Sequence, residues 1–190
     1  MKIQILYLFL LLNFQFPEII SNTSEQDKLD SIIYNLFNGK KTFLIAYTNE
    51  CYWWSDKKRY EILAFENNKW EKIYVYSKRN KNGEWSKPKI SHKSISSETA
   101  NNLITELTKI SFWELQNESL NVNEIKNGDG TIGKFKISDG INYKVEILQG
   151  NNFRIIESYE PEFFLSQMPE IKSRETFISG KTMIKNLFTK

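Results

Sequence analysis

The 190-residue chain carries 26 Lys and Arg against 23 Asp and Glu, a net charge of +3. That charge is too mild and too interspersed for a nucleic-acid binder, which gathers basic residues on one face. The one cysteine, Cys51, excludes an intramolecular disulfide, so stability has to come from apolar burial.

The chain opens with the order of a secretory signal peptide: Lys2, the apolar run Ile3–Phe16, Pro17, then Ser21-Asn22-Thr23-Ser24. The run is shorter than the roughly 20 apolar residues of a membrane span, and no later stretch reaches that length. Residues 1–21 are therefore expected to be removed, with cleavage after Ser21 although Ile19 is not a small residue. Residues 22–190 are expected to form one exported domain, periplasmic or secreted, with no stable membrane insertion. Asn22-Thr23-Ser24 and Asn117-Glu118-Ser119 fit the glycosylation pattern, but in an Asn-rich chain two matches carry no weight.

Leu29, Ile32, Ile33, Leu36 and Phe37 recur at helical spacing, with Ser24 as N-cap and Gly39 past the end, predicting an amphipathic helix over 24–37. Residues 42–48 are a compact apolar strand. Residues 59–76 read as a hairpin of two apolar runs around a four-residue loop, Glu66-Asn67-Asn68-Lys69. A fourth strand over 84–91 is cut by Pro88 and so placed at an edge. Residues 97–110 repeat the helical pattern behind a Ser96 or Ser97 cap, and 117–130 read as loop. Residues 134–138 form a strand turned by Asp139-Gly140 into a second hairpin, 142–159. A short helix over 162–168 and a closing helix over 173–188, weakened by Gly180, complete the chain.

The second hairpin repeats the first 83 positions later without a gap: Tyr60 falls on Tyr143, Ile62 on Val145, Trp70 on Phe153, Ile73 on Ile156 and Tyr76 on Tyr159. The pattern predicts an α+β fold of antiparallel sheet packed by helices, and allows two tandem αβββ halves, 24–91 and 97–160, each hairpin covered by its own upstream helix. This order of elements resembles the tandem plan of exported inhibitors of the beta-lactamase inhibitory protein type and of PepSY-type modules. The resemblance implies a protein-binding role.

No sequence motif assigns a catalytic residue, a metal or a cofactor. His92 is the only histidine and reads as a surface residue, since no G-x-S-x-G surrounds any serine. Asn127-Gly128-Asp129-Gly130 lacks the donors of a calcium loop and reads as a turn. Glu61, Glu71, Glu146 and Glu157 alternate with apolar neighbours and read as solvent-facing strand positions. Trp70 and Trp85 read as core or sheet-face packing.

The least ordinary local feature is Tyr52-Trp53-Trp54 between Cys51 and Arg59. Tyr, Trp and Arg are enriched in binding hot spots, so Tyr52, Trp53, Trp54 and Arg59 are the candidate site for a protein partner or a glycan. The competing reading makes the aromatics a lid on the core. Cys51 is expected to be a free thiol. The leading functional expectation is an exported non-enzymatic binding protein, such as a periplasmic inhibitor or immunity-like factor. The alternatives are a glycan- or small-ligand-binding module using residues 52–54, or a hydrolase with dispersed carboxylates.

Overall fold

The computed structural model describes residues 15–51, 55–126 and 128–189. Helices α1 (Glu25–Asp30) and α2 (Ile32–Phe37) precede strands β1 (Phe43–Cys51), β2 (Lys57–Glu66), β3 (Lys69–Lys78) and β4 (Lys89–Ser94). Helices α3 (Ser97–Lys109) and α4 (Asn117–Leu120) lead to a ribbon of β5 (Glu124–Lys126) and β6 (Ile132–Lys134). Strands β7 (Ile141–Gln149) and β8 (Asn152–Tyr159) and helices α5 (Pro161–Gln167) and α6 (Lys172–Thr189) close the chain.

The fold is α+β. Its main sheet is antiparallel, in the order β4-β3-β2-β1-β7-β8. Strand β1 is its axis, and residues 43–48 of it are all buried because both faces of the sheet are covered. Alternation along each strand sends Phe43, Ile45, Leu63, Trp70, Val145 and Ile156 to a front core under α3 and α6. Leu44, Ala46, Ile62, Ile73 and Phe153 go to a back core closed by Ile33 and Phe37 of α2.

Both hairpins turn in two residues, not four: Glu66 pairs with Lys69 and Gln149 with Asn152. Asn67 and Asn68 both have positive φ (50° and 61°), the backbone a tight turn between right-twisted strands requires and asparagine tolerates. The predicted helix over 24–37 breaks at Ser31, which ends α1 and whose hydroxyl caps the Tyr34 amide at 2.9 Å. Gly180 is no weakness in α6: a Cβ there would overlap the Phe112 ring, so its absence lets the helix lie against that ring. Trp70 is core, whereas Trp85 is 38% exposed with Lys58 over its ring.

The tandem αβββ arrangement is met only in part. Residues 135–138 are not strand, and β6 pairs with β5 outside the main sheet, so the second half supplies two strands where the first supplies β1 as well. The matched positions also face opposite ways: Ile62 and Ile73 lie in the back core, Val145 and Ile156 in the front. The hairpins are thus related by a half-turn about β1, and the helices cross over. Asn101 of α3 accepts from the Trp70 indole of the first hairpin at 2.9 Å. Tyr34 of α2 packs on Phe153 of the second, ring centres 5.1 Å apart.

The segment from Phe16 to Thr23 is built into the fold, and the expected cleavage after Ser21 would remove most of it. Phe16 stacks on Phe43 at 4.7 Å, and Ile19 is 1% exposed in the front core. The Ile19 amide donates to Gln149 Oε1, whose amide nitrogen donates to the Pro17 carbonyl. Among the described residues no helix is long and apolar enough to cross a membrane.

Candidate functional site

Helices α3 and α6 leave one end of the front face open. There the alternation of β1, β2, β3 and β7 sets Asn49, Cys51, Arg59, Tyr74, Tyr76 and Ile141 around a groove of about 700 Å³, with Ser55 on its rim. The last turn of α6 packs beside it: Tyr74 meets Phe188 edge-on at 5.7 Å, and Lys72 Nζ donates to the Leu187 carbonyl at 2.5 Å. The groove continues past Arg59 to Tyr47, Glu61 and Lys185.

Arg59, one of the candidate residues, lines this groove. One guanidinium nitrogen sits 3.2 Å from Glu61, and the side chain is 63% exposed. An exposed pair of this kind contributes only about 0–1 kcal/mol, so Glu61 orients Arg59 without occupying its other donors. Cys51 is free and half-buried at the groove edge. Tyr52, Trp53 and Trp54 lie outside the described residues, as does any cover they give Cys51; the chain enters their segment at Cys51 and leaves it at Ser55, both on the groove. The sequence reading missed Tyr74 and Tyr76, although their spacing of two on a predicted strand puts both on one face.

Deeper on the same face, Lys181 of α6 lies 3.4 Å above the centre of the Tyr143 ring and 2.5 Å from Glu162 of α5. Burial raises the Tyr143 phenol above its ordinary value, and Glu162 and Glu160 push it the same way. Burial does the same to Tyr47, reinforced by Tyr143 and Glu61. Both phenols therefore stay protonated at neutral pH. The cluster is charge-balanced and clamps α5 and α6 to β7.

Glu146 does not face solvent as its alternation suggested: it is fully buried on the back face. The Ser31 hydroxyl donates to its carboxylate, and Lys144 Nζ lies 3.4 Å away. Burial raises its pKa, and Lys144 and Ser31 offset that only in part. His92, on β4, is exposed as expected, and its Nδ1 lies 2.7 Å from Glu71 Oε2 while Lys41 holds the other oxygen. An imidazole oriented by a carboxylate still needs a nucleophile or substrate group in reach to act as a base. Among the described residues there is no group of three or more metal-ligating side chains. No protein-family model matches the chain, and no curated protein is significantly similar to it in sequence.

Proposed function

We propose that this is an exported binding protein that takes a protein partner in the front-face groove, with Arg59 as the polar anchor and Tyr74 and Tyr76 as flat apolar walls. The observation that carries this reading is an oriented, 63% exposed Arg59 in an aromatic groove, the composition of binding hot spots. Trp53 and Trp54, in the segment between two groove residues, add the same chemistry in sequence. Export rests on the Lys2, Ile3–Phe16, Pro17 order.

The test is affinity capture from the native envelope, comparing wild type with Arg59→Ala and Trp53→Ala. Arg59→Ala should shift stability by no more than about 0.5 kcal/mol and weaken the captured complex by about 2 kcal/mol. Capture unchanged by both variants would remove the groove from the reading.

A second reading, glycan binding, is favoured by a separate cavity of about 400 Å³ at the end of β7 and β8. Glu50, Asn121, Asn142, Glu157 and Tyr159 line it, mixing carboxylates and amides for hydroxyl groups with an aromatic ring. A sugar that protects the protein against heat, and loses that effect in Asn142→Ala, would favour this reading.

A further inference from the structure

The main sheet has two outer strands, and among the described residues only one is closed. Along β8 the outward backbone groups are taken by side chains. Ser21 Oγ accepts from the Phe153 amide and Thr23 Oγ1 donates to its carbonyl. Asn22 both accepts from and donates to Ile155. Asn117 accepts from the Glu157 amide, and Asn121 donates to the Glu157 carbonyl and accepts from the Tyr159 amide. Strand β4 has no such cover: all six of its residues are exposed. It pairs with β3 only, and no hydrogen bond from the described residues reaches its outer side. Every second residue therefore turns an N–H and a C=O outward along about 20 Å.

On the front face the charges that β4 carries are of one sign. Lys89, Ser91 and Lys93 point to the front face, and neither lysine has an ion-pair partner among the described residues. Lys93 stands directly opposite Lys72 on β3, a like-charge cross-strand pair that is unfavourable as it stands. On the back face Ile90, opposite Val75, is 41% exposed. A second copy added antiparallel in the central register would set Lys89 against Lys93 twice. An acidic strand would relieve the repulsion that a second copy would double.

We infer that the β4 edge takes an extended acidic peptide segment of a partner protein as a seventh strand, by backbone pairing. An antiparallel strand there puts acidic side chains opposite Lys89 and Lys93, four residues apart, with an apolar side chain opposite Ile90. The edge borders the groove at Arg59, since Ser91 and Lys89 stand opposite its Tyr74 and Tyr76, so Arg59→Ala tests the groove and the lysine variants below test the edge.

The probe is a fluorescein-labelled, end-blocked peptide Thr-Glu-Thr-Thr-Val-Glu, followed by anisotropy with the full chain, beside its Lys-for-Glu counterpart and a backbone N-methylated copy. The acidic peptide should bind. The lysine peptide should not, and N-methylation, which removes the pairing donors and keeps the charge, should abolish binding. Lys89→Glu with Lys93→Glu should weaken the acidic peptide roughly tenfold or more and transfer the preference to the lysine peptide, which also shows that the variant is folded. Absence of binding up to about 1 mM, equal binding of the N-methylated copy, or a dimer through β4 that the peptide does not dissociate would each overturn the inference.

Discussion

Along β8, from the Phe153 amide to the Tyr159 amide, the outward backbone groups meet Ser21, Asn22, Thr23, Asn117 and Asn121, while along β4 they meet no other group among the described residues. An outer strand is a template for further pairing, and proteins blunt it by cover or by charge. Here one sheet uses each device once. Side-chain amides reproduce the donor and acceptor of a peptide group, so they close β8 to any strand whatever its composition. Lysines leave the hydrogen-bonding groups of β4 available and reject by charge alone, so they close it to cationic strands and leave it open to anionic ones.

The largest test of the closed edge is removal of its N-terminal part. A chain beginning at Asn22 loses Phe16 and Ile19 from the front core, and Ile19 alone is worth about 2–5 kcal/mol. It also loses the Ile20 carbonyl that accepts from buried Arg154 at 3.0 Å. The total loss should exceed about 5 kcal/mol, the lower end of a whole domain's stability. Urea unfolding of chains beginning at Gln15 and at Asn22 should show a cooperative transition only for the first. An exported chain that sequencing shows to begin at Asn22, and that unfolds cooperatively, would mean the Phe16–Ser21 segment does not hold the β8 side.

Next in size is Asn117→Ala with Asn121→Ala. Asn117→Ala strips a donor and an acceptor from part-buried backbone of Ile155 and Glu157, at about 1–3 kcal/mol, whereas the bonds of Asn121 are exposed and their loss costs less. The pair should also make β8 a second open edge, so light scattering should show association that wild type lacks. A monomeric, equally stable double variant would show that water replaces the amides without cost.

How much of this was legible in the sequence follows from the range of each signal. The α+β class, β1 and α3 rest on local periodicity, and the structure has them within a few residues. Pro88 rightly marked the last strand of the first half as an edge, although that strand begins just after it. The seal did not show, because Asn22 and Asn117 meet β8 only through contacts across 133 and 38 positions. They matched a glycosylation pattern instead, and both amides are engaged with Ile155. Alternation predicted exposure for Glu146 because it assigns faces relative to neighbours and cannot tell that α2 covers the back one. Of the candidate site, the aromatic composition of residues 52–59 was legible. Tyr74 and Tyr76 were not, since what leaves them open is where α6 ends.

A smaller effect is expected from Glu146, which anchors the α1–α2 break to β7 behind the closed edge. Its folded pKa is raised by burial, so its favourable contribution is complete below the unfolded value and lost as pH rises through the folded one. Glu146→Gln should therefore gain on the order of 1 kcal/mol at neutral pH, because it removes a buried charge and the Lys144 it leaves behind is partly exposed, and the gain should shrink in acid. Thermal melts across pH 4–8, roughly the span over which a raised carboxyl titrates, would show it. A variant less stable than wild type at neutral pH would mean that Lys144 fully compensates the charge.

The smallest expected effect separates the two edges by pH. Burial pushes the Glu71 carboxyl up, but hydrogen bonds from Lys41 and His92 outweigh it and leave the pKa lowered. A lowered value means stability that is present above the unfolded pKa and lost as pH falls through the folded one. Glu71 ties β3 to β4 through His92, so acid should loosen β4 by up to about 1 kcal/mol, the range of partly exposed ion pairs. The β8 seal contains only hydroxyls and amides, none of which titrates in that range. Hydrogen exchange below the ordinary carboxylate pKa should then show β4 amides losing protection while those of Phe153, Ile155 and Glu157 keep theirs. Glu71→Gln should bring the β4 loss to neutral pH and leave β8 as it was. Loss of protection at both edges at the same pH would mean that the sheet opens as one unit and that neither edge is held by its own fastening.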